Sequence, residues 1–321
     1  MNKNMVVSVN PHIYASQTTQ TIMRDVLIAL CPAVVASVLF FGPRALLVEA
    51  VCVVVAVLCE WAFEKIAHRD VTITDCSAAV TGLLLALNLP VTIPLWQAAF
   101  GSLVAIVVVK QFFGGIGMNF ANPAITARVV MLVAFGAAMT NWVPAAFSGA
   151  PVDAVTAPTP LTVIAGINGI NAGAYTAGDL PSLAQMFLGI RGGSMGETSC
   201  LALLIGFAYL LCRRVISWHT PVAFIGTVLV CTALLGQQPL YQVMAGGLFI
   251  GAIFMATDYT TSPPTPAGKL IFGVGCGLLT VVIRVWGNFP EGVSFSILLM
   301  NILNPFICQW TRTKPFGGVT A

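Results

Sequence analysis

Charge is what this sequence has least of. Of 321 residues, 14 are Lys or Arg and 11 are Asp or Glu, 8% in all, where an ordinary soluble domain carries about 25%. With 58% apolar residues and a mean hydropathy of +0.93, a water-soluble fold would have too few polar side chains to cover its outside. A bilayer instead offers an apolar solvent to outward helix faces. The few basic residues stand singly or in pairs, so the net charge of +3 makes no nucleic-acid surface.

Metal chemistry is also thinly provided for. There are three histidines and no C-x-x-C spacing among the nine cysteines (Cys31, Cys52, Cys59, Cys76, Cys200, Cys212, Cys231, Cys276, Cys308), which sit within or at the ends of apolar runs. They read as small buried hydrophobes rather than metal or cluster ligands. The first 26 residues lack the apolar core and small-residue cleavage site of a signal peptide, so the first hydrophobic span is expected to be retained.

What is abundant is the long apolar run. Windows of about 20 residues place runs at 26–41, 45–66, 76–90, 95–113, 120–143, 197–212, 221–236, 240–257, 268–286 and 292–309. On this map Lys3, Arg24, Lys65, Arg69, Lys110, Arg213, Arg214, Lys269, Arg312 and Lys314 fall on one side, and Arg44, Arg191 and Arg284 on the other. Arg128 lies inside the fifth run. The positive-inside rule then places both termini in the cytoplasm and the one long connection, 144–196, outside.

Two strings of the same form occur in apolar settings: Asn119-Phe-Ala-Asn122-Pro123 and Asn301-Ile-Leu-Asn304-Pro305. Each follows a Gly-bearing helix, a Pro-containing break, and an apolar helix ending in Lys110 or Arg284. Five spans per half, an odd number, require the second half to enter the membrane inverted. The expectation is an all-α polytopic membrane protein of about ten transmembrane helices in two inverted five-helix repeats, the urea-transporter-like arrangement. It divides into a first repeat (1–143), an outward loop (144–196) and a second repeat (197–321). Asn-Pro pairs also begin or kink helices by themselves, which is the plainer explanation of these strings.

Glu49 and Arg128 are the clearest ionisable residues at membrane depth and are candidates for an ion path, while Glu60, Lys110 and Arg284 lie nearer span ends, where Lys and Arg can snorkel. Asn119, Asn122, Asn301 and Asn304 offer donors and acceptors, and a half-helix starting at Asn122-Pro123 would aim free N–H groups inward, suiting a carbonyl-rich ligand such as a flavin ring. The run at 112–117, Phe-Phe-Gly-Gly-Ile-Gly, has no preceding strand and reads as close packing or a backbone break rather than a phosphate loop. In the outward loop, the stretch 153–161 (DAVTAPTPL) is held extended by prolines, and Thr159 has no adjacent base to make it a nucleophile.

That stretch resembles the NqrB/RnfD family of membrane flavoproteins, whose outward loop carries an Asp and then Ser/Thr-Gly-Ala-Thr, the last Thr bearing FMN through a phosphoester. Asp153, Thr156 and Thr159 match these positions, followed by Pro160-Leu161, with Ala157-Pro158 in place of Gly-Ala. The resemblance extends through 8–33, 75–90, 110–124, 139–142, 256–263 and 290–301, nearly the whole chain. The short lead-in to the first span resembles the D-type branch, rather than the B-type branch found in Na+-translocating NADH:quinone reductases. The resemblance implies covalent FMN at Thr159 and a second, non-covalent flavin, riboflavin. It implies a bacterial inner-membrane protein that relays electrons between ferredoxin and NAD(H), coupled to Na+ or H+ movement. Its implied partners are the A, B, C, E and G components of an Rnf complex, above all the outward-facing flavin component G. It implies no catalytic residue and little turnover by this chain alone. A urea-transporter-like channel or secondary transporter is the rival reading.

Overall fold

The structure, a computed structural model, describes residues 17–145, 158–168, 175–176, 178, 180–287 and 291–312. Helix α1 (Thr19–Phe41) starts where the Thr18 side chain accepts from Thr21 N–H while the Thr21 hydroxyl answers the Thr18 N–H, closing a capping box. It stops at Gly42, whose φ of +78° suits glycine, and Pro43 at once starts α2 (Pro43–Ile66), so the two helices form a hairpin with a one-residue turn. Then come α3 (Ser77–Leu87) and α4 (Leu95–Leu103), the latter running on as a π-helical stretch, Val104–Gln111. Next are α5 (Pro123–Ala134), α6 (Gly136–Met139), α7 (Pro160–Asn168) and α8 (Leu183–Leu188).

The later part of the chain has α9 (Cys200–Cys212), α10 (His219–Leu234), α11 (Pro239–Met244) and α12 (Leu248–Ile250) with its π-helical continuation Gly251–Met255. Two long helices finish it, α13 (Pro266–Trp286) and α14 (Val293–Trp310). No strand occurs among the described residues.

Four helices, α1, α2, α13 and α14, are long and apolar enough to cross a membrane. Five more apolar helices are shorter, and the reason is local chemistry. The run 76–90 gives only α3 because Asn88-Leu89-Pro90 breaks it, and at 1.5 Å per residue its helix covers about 16 Å of a hydrocarbon core about 30 Å thick. The run 120–143 breaks at Phe135, and the run 240–257 breaks at Ala245-Gly246-Gly247, where Gly246 takes φ +66°. The breaks at Asn88 and at Ala245-Gly246-Gly247 lie in the protein interior, where Leu84, Leu85, Leu87, Leu89, Leu248 and Ile250 are buried, the setting in which irregular backbone is tolerated at membrane depth. The long helices instead expose apolar stripes such as Val35, Leu39, Leu46, Val54 and Leu58.

Small residues bring the helices close. A Cβ on Gly82 of α3 would meet Cys52 O of α2 at 2.8 Å, and one on Gly273 of α13 would meet Thr220 O of α10 at 2.8 Å. α1 packs on α9, and there Asp25 accepts from Tyr209 Oη at 2.9 Å and from Arg213. This is a polytopic, all-helical membrane protein with buried polar groups at two ends of its centre.

Candidate functional site

Thr159 stands between Pro158 and Pro160 at the start of α7, 6% exposed. Pro160 fills a first-turn position that needs no N–H donor. The Thr159 Oγ1 accepts from Thr162 N–H at 3.3 Å, the Thr162 hydroxyl donates to Thr159 O at 2.7 Å, and so the threonine is the helix's own cap. Its companion positions Asp153 and Thr156 lie outside the described residues.

Helix α7 is held by an apolar cluster in which Leu161 and Ile164 meet Met186 of α8 and Ala245. The next residue, Gly246, is confined: a Cβ there would meet Leu161 Cδ1 at 2.5 Å and Arg284 Nη2 at 3.1 Å. Arg284, near the end of α13, donates from Nη1 to Gln242 O at 2.5 Å and from Nη2 to Ala245 O at 3.1 Å. Gly247 in turn lies beside Arg128 and Glu197, at 3.3 and 3.5 Å from an added Cβ. One Gly-Gly turn therefore joins the Thr159 helix to a buried charged group.

The centre of that group is Arg128 of α5. Its Nη1 donates to Asn88 Oδ1 and Ser294 Oγ, each at 3.0 Å, and its Nη2 is bonded to Glu291 and lies 3.8 Å from Glu197. Arg191 donates to Thr198 O at 3.2 Å and Glu197 O at 2.7 Å and touches Met186. The N–H groups of Met195 and Gly196 in the same loop donate to the Leu89 and Leu87 carbonyls, satisfying the buried C-terminal end of α3. Buried charge is tolerable only when paired and hydrogen-bonded, and Arg128 satisfies both conditions.

A second polar group lies at the other end of α3. Lys110 Nζ donates to Glu60 Oε1 at 2.5 Å and to Ser77 Oγ at 2.6 Å, and Gln111 Nε2 donates to the same carboxylate oxygen at 2.8 Å. Lys110 borders a cavity of about 260 Å³, also lined by Thr19, Met23, Asn119, Asn122 and Asp258. Thus Ser77 and Asn88, at the two ends of one short helix, each anchor a different buried cation.

The four asparagines are partly brought together. Asn122 caps α5, accepting from Ala124 and Ile125 N–H, and donates to Met255 O at 3.3 Å. With its amide turned so that the oxygen faces a donor and the nitrogen an acceptor, Asn301 accepts from Asn122 N–H at 3.1 Å and donates to Thr261 O at 3.2 Å. Asn119 accepts from the Thr260 hydroxyl, whereas Asn304 accepts from Cys308 within α14. The two Asn-Pro strings are thus locally unlike, since Asn122-Pro123 begins a helix and Asn304-Pro305 lies inside one.

Glu49 and Arg128 share no partner: Glu49 on α2 accepts from Ser37 of α1 at 2.6 Å, in a group of its own. Lys110 and Arg284, at positions from which such side chains can snorkel, turn inward and are 3% and 6% exposed. The segment 112–117 is a turn with Gly114, Gly115 and Gly117 at φ +125°, +97° and +90°, a backbone break rather than a phosphate cradle. Reading the sequence missed Glu197, Glu291, Arg191, Asn88 and Gln242. Their signal was polarity next to Pro and Gly breaks, but nothing in the chain says which of them meet.

Residues 6–317 match the family model described as the NQR2, RnfD, RnfE family. The chain is 42% identical over 318 residues to the D subunit of the Na(+)-translocating ferredoxin:NAD(+) oxidoreductase complex of Acetobacterium woodii, covering 98% of this chain and 96% of that protein. It is 43% identical over 326 residues to the D subunit of the proton-translocating ferredoxin:NAD(+) oxidoreductase complex of Clostridium ljungdahlii, covering 99% and 98%. It is 40% identical over 323 residues to the D subunit of the ion-translocating oxidoreductase complex of Stutzerimonas stutzeri, covering 92% and 91%.

Proposed function

The chain belongs to the NQR2, RnfD, RnfE family, and on that premise we propose that it is the flavin-carrying membrane subunit of an ion-translocating ferredoxin:NAD(+) oxidoreductase complex. Its role is to relay electrons within that complex, coupled to Na+ or H+ transfer, beside the other Rnf components and chiefly the outward-facing flavin component G. It sits in the bacterial inner membrane with both termini cytoplasmic and the Thr159 loop outside. Ten spans in two inverted repeats fit this reading, because each apolar run contains a helix and the Asn122 and Asn301 strings meet.

The observation that carries the proposal is the setting of Thr159. FMN joined to Oγ1 by a phosphoester would supply a one-electron carrier at a fixed place. The residues present fit such a group. The Thr159 oxygen already caps α7, and a phosphodiester there keeps an acceptor for Thr162 N–H while adding negative charge at a helix N-terminus, where charge of that sign is stabilised by about 0.3–1 kcal/mol. Pro158 and Pro160 hold the attachment point rigid.

At the other polar end, the cavity beside Asn119 and Asn122 is the candidate place for non-covalent riboflavin, with amides for ring carbonyls and apolar walls from Val80, Leu84 and Phe254. Denaturing electrophoresis tests the covalent claim: the band fluoresces under ultraviolet light, and Thr159→Ala abolishes it. A dark wild-type band would favour a channel or transporter without redox activity.

A further inference from the structure

Lys110 is answered by Glu60, Arg128 by Glu197 and Glu291, and Asp25 by Arg213. Glu49 has no such answer. It is 3% exposed, stands about 9 Å along α2 from the Gly42 turn at 1.5 Å per residue, and forms no ion pair among the described residues. The cations on α2 and on the helices packed against it are Arg24, Arg44, Lys65 and Lys110. Arg44 donates to the Val91 and Thr92 carbonyls and Lys110 to Glu60, while Arg24 and Lys65 stand at the ends of α1 and α2 away from the turn. The carboxylates there are engaged as well, Asp25 with Tyr209, Glu60 with Lys110, Glu64 with Thr72 and Asp75 with Ser77. One turn along α2 from Glu49, the Cys52 thiol donates to Ala98 O at 3.8 Å.

Counting hydrogens settles the state of this carboxyl. Ser37 Oγ lies 2.7 Å from Val34 O and 2.6 Å from Glu49 Oε1. Oxygens that close need a hydrogen between them, and a serine hydroxyl owns only one. Drawn with that hydroxyl donating to Glu49, Val34 O faces a bare oxygen lone pair at 2.7 Å. A carbonyl cannot donate, so the second hydrogen has to be the carboxyl's own. Burial agrees: Ser37 is 0% exposed and Glu49 Oε2 has no partner among the described residues, which a neutral acid's carbonyl oxygen tolerates far better than a carboxylate's does. A Na+ ion fits poorly in place of the proton, because it takes a shell of hard oxygens and the next polar side chain along α2 is the soft Cys52 sulfur.

We propose that Glu49 is a proton-binding site inside the bilayer, selective for H+ over Na+: a carboxylic acid whose O–H donates to Ser37 Oγ, which in turn donates to Val34 O. The α1–α2 hairpin builds the site, since the one-residue turn at Gly42 sets Ser37 and Glu49 on facing sides of two antiparallel helices. It stands apart from Thr159 and from the cavity at Asn119 and Asn122, and it holds whether or not either takes a flavin.

Infrared spectra of the full chain in phosphatidylcholine vesicles test this, with wild type, Glu49→Gln and Ser37→Ala compared at mildly alkaline pH, where exposed carboxyls are ionised. The wild-type minus Glu49→Gln difference should contain the C=O stretching band of a carboxylic acid. Replacing KCl by NaCl should leave that band in place. Ser37→Ala should keep it but move it to higher wavenumber, because an acid O–H that loses its acceptor stiffens the C=O bond. A difference spectrum showing only a carboxylate pair overturns the proposal, since Glu49 is then ionised. Loss of the acid band on adding NaCl also overturns it, because Na+ then takes the proton's place. If Glu49→Gln does not survive extraction, Ser37→Ala decides alone: a shifted acid band supports the site, and an unchanged spectrum overturns it.

Discussion

Asn301 of α14, with its amide oriented to match its neighbours, accepts a hydrogen bond from the backbone N–H of Asn122 at the start of α5 and donates to Thr261 O. Two residues from similar strings in the two halves are thereby joined in the interior. Both atoms that Asn301 satisfies are backbone groups next to helix breaks, where no helical partner exists.

Asn301→Leu should therefore cost about 1–3 kcal/mol, the penalty of leaving buried backbone groups unmet. The measurement is thermal unfolding in detergent, with Asn304→Leu as comparison. Asn304 accepts from the Cys308 thiol, a weak donor, so its loss should be the smaller. Equal losses would show that the Asn122 contact carries no special weight.

Lys110 and Glu60 are both buried and satisfy each other. Lys110→Met leaves the Glu60 carboxylate with Gln111 alone, and breaking one half of a buried pair costs about 3–5 kcal/mol. Adding Glu60→Gln should recover most of that. A double-mutant cycle on thermal midpoints checks it, and simple additivity would refute the pairing.

Thr159→Ser should preserve both the fluorescent band and the α7 cap, since its hydroxyl reaches the same atoms. Thr159→Ala in protein made without flavin transferase should cost about 0.5–2 kcal/mol through loss of the cap alone. The readout is protease resistance of the α7 segment together with the thermal midpoint. No change in either would mean that the Thr162 contact is unimportant to folding.

Gly246→Ala places a Cβ against Leu161 on a backbone at φ +66°. Overpacking and left-handed strain together should destabilise by about 1–3 kcal/mol. Leu161→Ala in the same chain should relieve part of it. A Gly246→Ala protein as stable as wild type would mean that α7 is not seated on the Gly-Gly turn.

How much of this could be read from the sequence differs by residue. Gly42-Pro43 and Asn122-Pro123 declared their helix boundaries because capping is settled within a few residues. The runs at 76–90, 120–143 and 240–257 are apolar on average, so hydropathy overstates their helices. The break at Asn88 is met by the Met195–Gly196 loop and that at Gly246 by Arg284, whereas the break at Phe135 keeps local bonds to Met131, Ala138 and Met139.

The sequence by itself determined that the chain lives in lipid, because too few polar residues exist to make any other surface stable, and composition is independent of how helices meet. It also showed the paired asparagine strings, while Thr159 stood out only through the family resemblance. Only the tertiary structure decided that Arg128 takes both carboxylates, that Arg284 is left with carbonyls beside α7, and that Lys110 turns inward to Glu60. Those outcomes depend on side chains from distant segments converging within about 3–4 Å, and a Coulombic term so steep in distance and burial cannot be read from spacing along the chain.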